Sequence, residues 1–430
     1  MRRLRIYYGW VIVAGLSLVG AVNMSLGGVN FGSFISPMRN DLGISNTVFG
    51  LSATVRTLST GIFSPYLGKM LDRHGSRYPM AIAGVLIIFI LFGLAFVQSG
   101  WMLLLMMFLL GAIGMQGGTS LYSTVPISHW FIRKRGMAMS WAFVGGPFAL
   151  ILALPGTAWL IDLIGWRETW ALLGVIGGVT TLLVALLIVR NTPQEMGLVA
   201  DGFVEDVAPV KTSDTAKPAP VEDDEYPWTR DEALRTWAFW ALGLSFGVAQ
   251  LGAGTFVLFR IPFYEEAGIS PALAGLGSAV DAGIVAIGVM FLAPHIDRVP
   301  LRHGSVVGVG LTMVALAMSL LHASVFMMFF ANFVFGVGQI FNIGIRNLIW
   351  STYYGRAHIG SIRGAAFLVQ MVFSAAGPPL GGILRDVSGS YDLVWILSLV
   401  PMGFGMVLVF TAKKPVPKSR PQSVSEPVPA

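Results

Sequence analysis

Residues 43–56 of the chain, GISNTVFGLSATVR, are matched by GISPALAGLGSAVD at residues 268–281. After an apolar run in each copy, GKMLDRHGSR at 68–77 is matched by APHIDRVPLR at 293–302. Both matches have the same offset of 225 residues, so the copies align without a gap. The identical positions are Gly43, Ile44, Ser45, Gly50, Leu51, Val55, Asp72, Arg73 and Arg77, which match Gly268, Ile269, Ser270, Gly275, Leu276, Val280, Asp297, Arg298 and Arg302. The chain is therefore predicted to contain two copies of one structural unit.

The composition indicates that this repeated unit lies in a membrane. Of the 430 residues, 55% are hydrophobic and 12% are charged, against roughly 25% charged residues in soluble domains. The net charge of +6 does not indicate nucleic-acid binding, because the basic residues lie in short loops between long apolar runs. The absence of cysteine excludes disulfides and thiol-ligated metals. Parallel repeats in a membrane chain are typical of secondary transporters.

Twelve apolar runs approach or exceed the length of about 20 residues that a spanning helix needs. They lie near 8–36, 46–71, 78–98, 101–129, 137–164, 167–190, 236–264, 271–296, 303–322, 325–353, 361–385 and 389–412. The sequence therefore predicts an all-α membrane protein with twelve transmembrane helices in two pseudo-symmetric six-helix bundles.

The predicted organisation is an N-terminal bundle at 1–190, a linker at 191–235, a C-terminal bundle at 236–412 and a tail at 413–430. The linker and the tail are rich in proline and charged residues, so both are predicted to be flexible. Most loop Lys and Arg residues fall on one side of the predicted spans. The positive-inside rule therefore places both termini and the linker in the cytoplasm, with the bundles in the plasma or inner membrane.

Two loop motifs resemble those of the major facilitator superfamily. Residues 68–77 are similar to its signature between the second and third helices, and 293–302 form a weaker copy. Trp130-Phe131 followed by Arg133-Lys134-Arg135-Gly136 resembles its loop between helices four and five. The opening Tyr8-Gly9-Trp10-Val11 and the Gly-Ile-Ser turn further resemble the monocarboxylate porter and oxalate/formate antiporter branch.

The resemblance implies that the first of these loops is a conformational latch and not a substrate site. The residues of the predicted latch are Gly68, Asp72, Arg73, Gly75, Arg77, Asp297 and Arg298. The glycines permit sharp turns, and the carboxylate of Asp72 can accept from backbone N–H groups at a helix start. A role in topology and helix packing alone is the alternative that these residues leave open.

Arg56, Asp281 and Arg346 are ionisable residues within the predicted spans. A charge near the bilayer midplane is costly, so each is expected to face a polar cavity or a partner. Arg56 and Asp281 are equivalent under the repeat offset, so the halves place opposite charges at matching depth. Arg260 lies nearer the outer edge of helix seven, beside Glu265 and Glu266, and is predicted to form an extracellular gate or a surface pair.

The resemblance to the monocarboxylate porters implies that Asp281 takes part in proton coupling, as an Asp of helix eight does in that family. The family's carboxylate-binding Arg, one turn later, is replaced here by Val285. Arg346 is the first candidate to supply the cation and Arg56 the second, because a guanidinium can hold a carboxylate through two hydrogen bonds. Two alternatives stay open: Arg346 reaches the cytoplasmic interface or holds a gate, and Arg56 forms a structural ion pair with Asp281 or another acid.

Uncharged polar side chains within the spans are candidates for lining the substrate site. In the resembled superfamily, helices one, four, seven and ten line the cavity. The candidates for substrate binding are Asn30, Gln116, Tyr122, Gln250, Asn342 and Gln370, and Asn23, Ser120 and Gln339 are further polar residues of these spans. Each of them can instead form an interhelical hydrogen bond.

The sequence contains no recognisable catalytic or nucleotide-binding pattern. Its six histidines are scattered over loops and helix ends without metal-ligand spacing, and no glycine-rich phosphate loop occurs. We therefore expect no enzymatic activity, no cofactor and no metal. The energy source is expected to be a gradient of an ion or a solute.

These observations predict a secondary transporter that moves a small organic anion, a mono- or dicarboxylate, by alternating access with proton symport. Its expected partners are the carboxylate, a coupling proton or counter-anion, and the lipid bilayer, and it is expected to act as a monomer. Anion exchange is the close alternative, and a sugar or drug carrier is a more distant one. A transporter-like membrane sensor is an alternative from a different class.

Overall fold

The computed structural model describes residues 7–26, 28–115, 120–132, 134–202, 226, 228–291, 299–321, 324–355 and 358–416, and all regular structure in them is helical. The N-terminal half contains α1 (Tyr8–Ser25), α2 (Gly28–Leu42), α3 (Asn46–His74), α4 (Arg77–Ala95), α5 (Gly100–Ala112), α6 (Leu121–Trp130), α7 (Arg135–Ile164) and α8 (Trp166–Leu183). The C-terminal half contains α9 (Arg230–Leu234), α10 (Trp237–Glu266), α11 (Pro271–Phe291), α12 (Leu301–Ser319), α13 (Val325–Tyr354), α14 (Ile359–Ser388) and α15 (Asp392–Thr411).

Ten segments of the described chain are long and apolar enough to cross a bilayer. The first combines α1 and α2, and α4, α7, α8 and α10 to α15 supply the others. Two more segments complete the predicted twelve: α3, whose polar side chains lower its hydropathy, and the pair α5 and α6. The unbroken span predicted at 101–129 is wrong, because α5 ends at Ala112 and Gly114 adopts a left-handed φ of +69°.

The repeated Gly-Ile-Ser sequence forms an equivalent turn in both halves. Gly43 and Gly268 have φ values of +65° and +83°, a region that glycine adopts far more readily than other residues. Each turn leads directly into a long helix, α3 in the first half and α11 in the second. The sequence repeat is therefore a structural repeat.

The same offset relates the main crossings between the halves. Gly50 of α3 lies against the backbone carbonyl of Pro378 on α14, and Gly275 of α11 lies against the backbone of Leu154 and Pro155 on α7. Glycine lets two helix backbones approach closely at such crossings. The α3–α14 and α7–α11 contacts consequently form two related parts of the interface between the halves.

The described ends of the segment between the halves are folded. The carboxylate of Asp201 accepts hydrogen bonds from the backbone N–H groups of Ile132 (3.0 Å) and Lys134 (3.3 Å). At the other end, Thr229 and Glu232 form a capping box that starts α9. The predicted flexibility of the linker does not extend to these ends, and its middle lies outside the described residues.

Candidate functional site

A cavity of about 280 Å³ lies between the two halves. Residues of α1 and α7 form its N-terminal wall, and residues of α10, α11 and α13 form its C-terminal wall. The polar side chains of its lining are Gln250, Asp281 and Gln339. Residues 250, 281 and 339 lie near the middle of long helices, which is the depth at which secondary transporters bind substrate.

Asp281 forms a buried ion pair with Arg260 of α10. Arg260 Nη2 and Asp281 Oδ1 are 3.0 Å apart, and the side chains are 1% and 11% exposed. Nη1 of Arg260 also donates to Oδ1 of Asn332 (3.0 Å), and Nη2 donates to the carbonyl of Ser278 (3.3 Å). Oδ1 of Asp281 lacks a hydrogen bond of normal geometry. Charge attraction at low dielectric, and not a well-aligned hydrogen bond, holds this pair.

Further contacts stabilise the guanidinium of Arg260 behind Asp281. The rings of Phe256 and Phe335 have their centroids 5.8 Å from it, a distance at which a cation is attracted to an aromatic face. Asn332 also donates a hydrogen bond to the Tyr264 hydroxyl (3.0 Å). These partners compensate for the removal of the cation from water.

The prediction that Arg260 forms an extracellular gate or a surface pair is wrong. The side chain is buried and contacts Asp281, whereas Glu266 binds two other arginines. Residues five and six positions apart do not share a helix face, so Glu265 and Glu266 point away from Arg260 despite their proximity in sequence. The alternative in which Arg56 pairs with Asp281 is also excluded, because Arg260 holds that place.

Arg56 of α3 has no acidic partner within ion-pair distance in the part of the chain that the structure describes. It is 8% exposed, and its Nε is buried without a hydrogen bond. Gly111 packs against the backbone of Arg56 as Gly336 packs against that of Asp281. The two glycines are themselves separated by the repeat offset, so Arg56 and Asp281 occupy equivalent sites in the two halves.

Arg346 of α13 lies one helical turn beyond Ile343, which lines the central cavity. Its side chain is half-buried, and its charged neighbour is a second cation, Arg363. Within the described residues it has no acid at ion-pair distance. Arg346 thus lies beside the cavity, and no acid of the described residues compensates its positive charge.

Three of the predicted substrate ligands form interhelical hydrogen bonds. Asn30 donates to Thr157 Oγ1 (2.9 Å), and Asn342 donates to Thr312 Oγ1 (3.2 Å). The hydroxyl of Tyr122 donates to the carbonyl of Ile113 (3.0 Å). These contacts favour the packing role that the sequence left open for each residue.

The remaining candidates for substrate binding, Gln250, Gln370 and Gln116, have different positions relative to the cavity. Gln250 lines the central cavity together with Gln339. Gln370 of α14 is 7% exposed and has no hydrogen-bond partner among the described side chains. Gln116 lies outside the described residues. The cavity therefore brings together Gln250, Gln339 and Asp281, and their binding roles remain predictions.

The loop between α3 and α4 is anchored by its own half. The side chain of Asn191, which follows α8, accepts hydrogen bonds from the backbone N–H groups of Ser76 (2.9 Å) and Arg77 (3.1 Å). Arg77 Nη2 donates to the carbonyl of Leu186 (2.7 Å). Gly75 ends α3 with a φ of +69°. The turn is therefore held in place by the end of the sixth span.

The other residues of the predicted latch are only partly described. Gly68 has open space around its Cα, and Arg73 is exposed. The side chain of Asp72, and the whole of Asp297 and Arg298, lie outside the described residues. The latch function of this loop therefore stays a prediction.

A group of polar side chains joins the two halves at the end that carries the α2–α3, α10–α11 and α14–α15 turns. We call this end the outer end, because the sequence predicts that it faces outward. We call the group the inter-half polar cluster, and it consists of Arg39, Asn46, Thr47, Glu266, Arg385, Asp386 and Tyr391.

Asp386, near the end of α14, caps the first turn of α3. Its Oδ1 accepts from the backbone N–H (3.0 Å) and side chain (2.8 Å) of Asn46. Its Oδ2 accepts from the backbone N–H (2.8 Å) and hydroxyl (2.6 Å) of Thr47. A carboxylate at this position satisfies free N–H groups and interacts favourably with the helix dipole. The sequence contains a helix-start signal at this turn but nothing that identifies a partner 340 residues away.

Glu266 and Tyr391 complete the inter-half polar cluster. Oε1 of Glu266 accepts from Arg39 (3.1 Å) in the N-terminal half and from Arg385 (2.8 Å) in the C-terminal half. The hydroxyl of Tyr391 donates to Oδ1 of Asn46 (3.1 Å). Burial raises the pKa of Tyr391 above its ordinary value, so its phenol remains a hydrogen-bond donor.

Comparison with known sequences supplies a family match and named relatives. The family model of the Major Facilitator Superfamily matches residues 16–267 and 242–430. A protein of Agrobacterium vitis that is named as a tartrate transporter is 26% identical over 90% of this chain and 87% of its own length. Monocarboxylate transporter 2 of Homo sapiens is 23% identical over 90% and 82%, respectively. The oxalate:formate antiporter of Oxalobacter formigenes is 23% identical over 57% and 54%.

A solved structure has the same fold. It is the crystal structure of a bacterial homolog of the human lysosomal transporter Spinster, in an inward-facing and occupied conformation. The TM-score is 0.72 at 13% identity, over 94% of this chain and 97% of that one. At this identity the likeness concerns the fold alone, and it confirms the predicted arrangement of helices.

Proposed function

Because the chain belongs to the Major Facilitator Superfamily and is a multi-pass membrane transporter, we propose that it moves a small organic anion by alternating access with proton coupling. The observation that carries this proposal is the buried Arg260–Asp281 pair, whose Asp281 lines a cavity between the halves. A charge at this depth is costly and marks ion or substrate pathways. The pair supplies both an anion-binding cation and a group that can take up a proton.

The size of the cavity favours a small substrate. At about 280 Å³ it lies at the lower edge of the range of ligand pockets, roughly 300–1,000 Å³. A mono- or dicarboxylate fits this volume better than a drug-sized molecule. The relatives named for tartrate, monocarboxylates, and oxalate and formate support the same substrate class.

In the proposed mechanism, substrate and Asp281 compete for Arg260. The carboxylate of the substrate displaces Asp281, which then loses its counter-ion in a poorly solvated site. A carboxylate without a counter-ion at low dielectric favours the protonated form. Substrate and proton would therefore bind together, which couples their transport in one direction.

Arg346 and Arg56 are proposed as additional substrate contacts, on the inner side of the cavity and in the N-terminal half. Neither has an acidic partner in the described part of the chain. A dicarboxylate offers a second anionic group that one of them can hold through two hydrogen bonds. Rocking of the two halves would then expose this site on either side in turn. Both termini are proposed to be cytoplasmic.

Transport by purified protein in liposomes tests this proposal. Uptake of radiolabelled tartrate, lactate and oxalate is measured with and without an inward proton gradient, and glucose serves as the neutral solute. We expect accumulation of a carboxylate that the gradient increases. Arg346→Ala should reduce this uptake at least tenfold, equivalent to about 1.4 kcal/mol of lost binding.

Arg346→Lys is the matched control, because it keeps the charge and loses the planar fork. It should retain more uptake than Arg346→Ala. If uptake requires a second anion inside the liposome and does not depend on the proton gradient, the protein is an anion exchanger and not a proton symporter. Accumulation of glucose but of none of the carboxylates would overturn the organic-anion proposal.

A further inference from the structure

A second cavity of the chain is larger than the one between the halves. A groove of about 590 Å³ lies in the N-terminal half between α3, α4 and α5, twice the volume of the central cavity. Its lining is apolar except for the Tyr122 hydroxyl, which already donates to the carbonyl of Ile113. The groove therefore offers no free polar group to a carboxylate, and it needs a different occupant from the central cavity.

The groove opens toward the lipid. On α4 its lining includes Ile82 and Phe89, which are 60% and 70% exposed. It follows α4 from Pro79 to Gly93, a helical distance of about 21 Å at 1.5 Å per residue. One leaflet of hydrocarbon is about 15 Å deep, half of the roughly 30 Å core. The groove thus has the length and polarity of an acyl-chain site.

Basic side chains lie at the Pro79 end of this groove. Met70 lines it from α3, and Arg73 follows three residues later on the same helix face. Lys69 and Arg73 are exposed, and neither has an ion-pair partner among the side chains that the structure describes. An anionic headgroup placed at this end would meet two exposed cations, which attract anionic lipid near a membrane surface.

We propose that the α3–α4–α5 groove binds an anionic phospholipid of the surrounding bilayer, with an acyl chain along α4 and the headgroup at Lys69 and Arg73. The apolar lining accounts for the chain, and the two cations account for a preference among headgroups. This site is separate from the transport site, so the inference does not depend on which solute the protein carries.

Native mass spectrometry of the detergent-purified full-length protein tests this inference. The protein is incubated with phosphatidylglycerol or with phosphatidylcholine of identical acyl chains, and the retained lipid is counted. We expect one tightly retained phosphatidylglycerol and a preference over phosphatidylcholine on the order of tenfold. The double variant Lys69→Gln/Arg73→Gln should abolish this preference.

Each variant has a matched control. Lys413→Gln/Lys414→Gln removes the same charge from two exposed residues beyond α15 and should keep the preference. Ala83→Phe fills the groove and should lower retention of both lipids, whereas Val85→Phe on the same helix lies outside the lining and should not. If Ala83→Phe does not fold, Ile82→Trp provides the same test at an exposed wall position.

Three outcomes would overturn the proposal. One is equal retention of both lipids by the wild-type protein. Another is an Ala83→Phe or Ile82→Trp variant that retains as much lipid as Val85→Phe. The third is a lipid-free dimer in place of a lipid-bound monomer, which would identify the groove as a contact between two copies.

Discussion

Arg260 and Asp281 form a pair whose members depend on each other. Arg260 is 1% exposed, so removing the carboxylate leaves a cation with no counter-ion in a poorly solvated place. Breaking a buried pair in this way costs about 3–5 kcal/mol, whereas replacing both members by neutral groups is often nearly neutral. The energetic consequence of a substitution here therefore depends on whether the second member is still charged.

Asp281→Asn alone should destabilise the protein more than the double variant Arg260→Gln/Asp281→Asn. We expect the single variant to lose about 3–5 kcal/mol of stability and the double variant to recover a large part of it. Thermal unfolding in detergent, measured for the wild type, Asp281→Asn, Arg260→Gln and the double variant, checks this order. A double variant that loses as much as the two single variants combined would show that the residues act independently.

The sequence identified Asp281 but not its partner Arg260. The sequence indicates Asp281 because a carboxylate in the middle of an apolar run requires a polar cavity or a partner. The sequence predicts a place near the surface for Arg260, because Glu265 and Glu266 follow it closely along the chain. Counting the helical register would have placed it on the face of Phe256 and Tyr264, both of which are buried. The rotation of α10 about its own axis, which brings Arg260 to Asp281, is fixed only by packing.

At the scale of single elements, three faces of α3 have different surroundings. One face crosses α14 of the other half at Gly50 and Pro378, a second packs on α5, and a third borders the apolar groove. Any movement of the halves must therefore change the α3–α14 contact without separating α3 from its own bundle. The close approach at Gly50 makes this crossing sensitive to a single methyl group.

Gly50→Ala should weaken the crossing of α3 and α14. The added Cβ would overlap the carbonyl of Pro378, and such overpacking typically costs about 1–3 kcal/mol. Gly364→Ala is the control, because Gly364 lies on α14 with nothing within 4 Å of its added Cβ. That variant should be neutral or slightly stabilised, since alanine favours helix more than glycine does. Unfolding temperatures of the two variants provide the measurement, and equal values would contradict the prediction.

The helices themselves were predictable because length and hydropathy are local properties of the sequence. The offset of 225 residues correctly related the Gly43 and Gly268 turns and the α3 and α11 helices that follow them. The break between α5 and α6 was not predicted, although residues 113–120 contain three glycines and the polar Gln116, because membrane helices tolerate internal glycine. Which polar side chains face the cavity also could not be predicted, because Asn30 and Asn342 form hydrogen bonds to neighbouring helices that only the packed bundle defines.

At the scale of the whole molecule, the two halves meet asymmetrically at the outer end. Asp386 of α14 caps α3 through four hydrogen bonds. Asp162 occupies the related place on α7, and the helix it would cap, α11, begins with Pro271. Proline has no N–H to donate, and Asp162 forms no hydrogen bond with the described residues. The repeat therefore gives the protein one anionic cap between its halves and not two.

Asp386→Asn should shift the population toward an arrangement that is open at the outer end. Hydrogen bonds to a charged group contribute about 1.5–3 kcal/mol, so the ratio of closed to open molecules should fall about tenfold or more. The chain has no cysteine, so Ala253→Cys in the central cavity introduces a single thiol. Its rate of labelling by an impermeant maleimide added from outside should rise in the Asp386→Asn background.

Asp41→Asn is the matched control for this experiment. Asp41 forms an ion pair with Arg167 near the same end of the molecule, but both residues belong to the N-terminal half. The substitution makes the same change in charge without removing a contact between the halves. A labelling rate that rises equally in both variants would attribute the effect to surface charge and not to the inter-half polar cluster.

Because Asp386 caps α3, separation of the two halves at the outer end also requires the capping groups to be hydrated. The backbone N–H groups of Asn46 and Thr47 and the carboxylate of Asp386 are bonded to one another while the halves are joined, and each must acquire water when they part. The equilibrium should therefore depend on water activity as well as on ligand. An osmolyte excluded from protein surfaces, such as sucrose, is expected to slow outside labelling of Ala253→Cys in the wild-type background, and to do so less in Asp386→Asn.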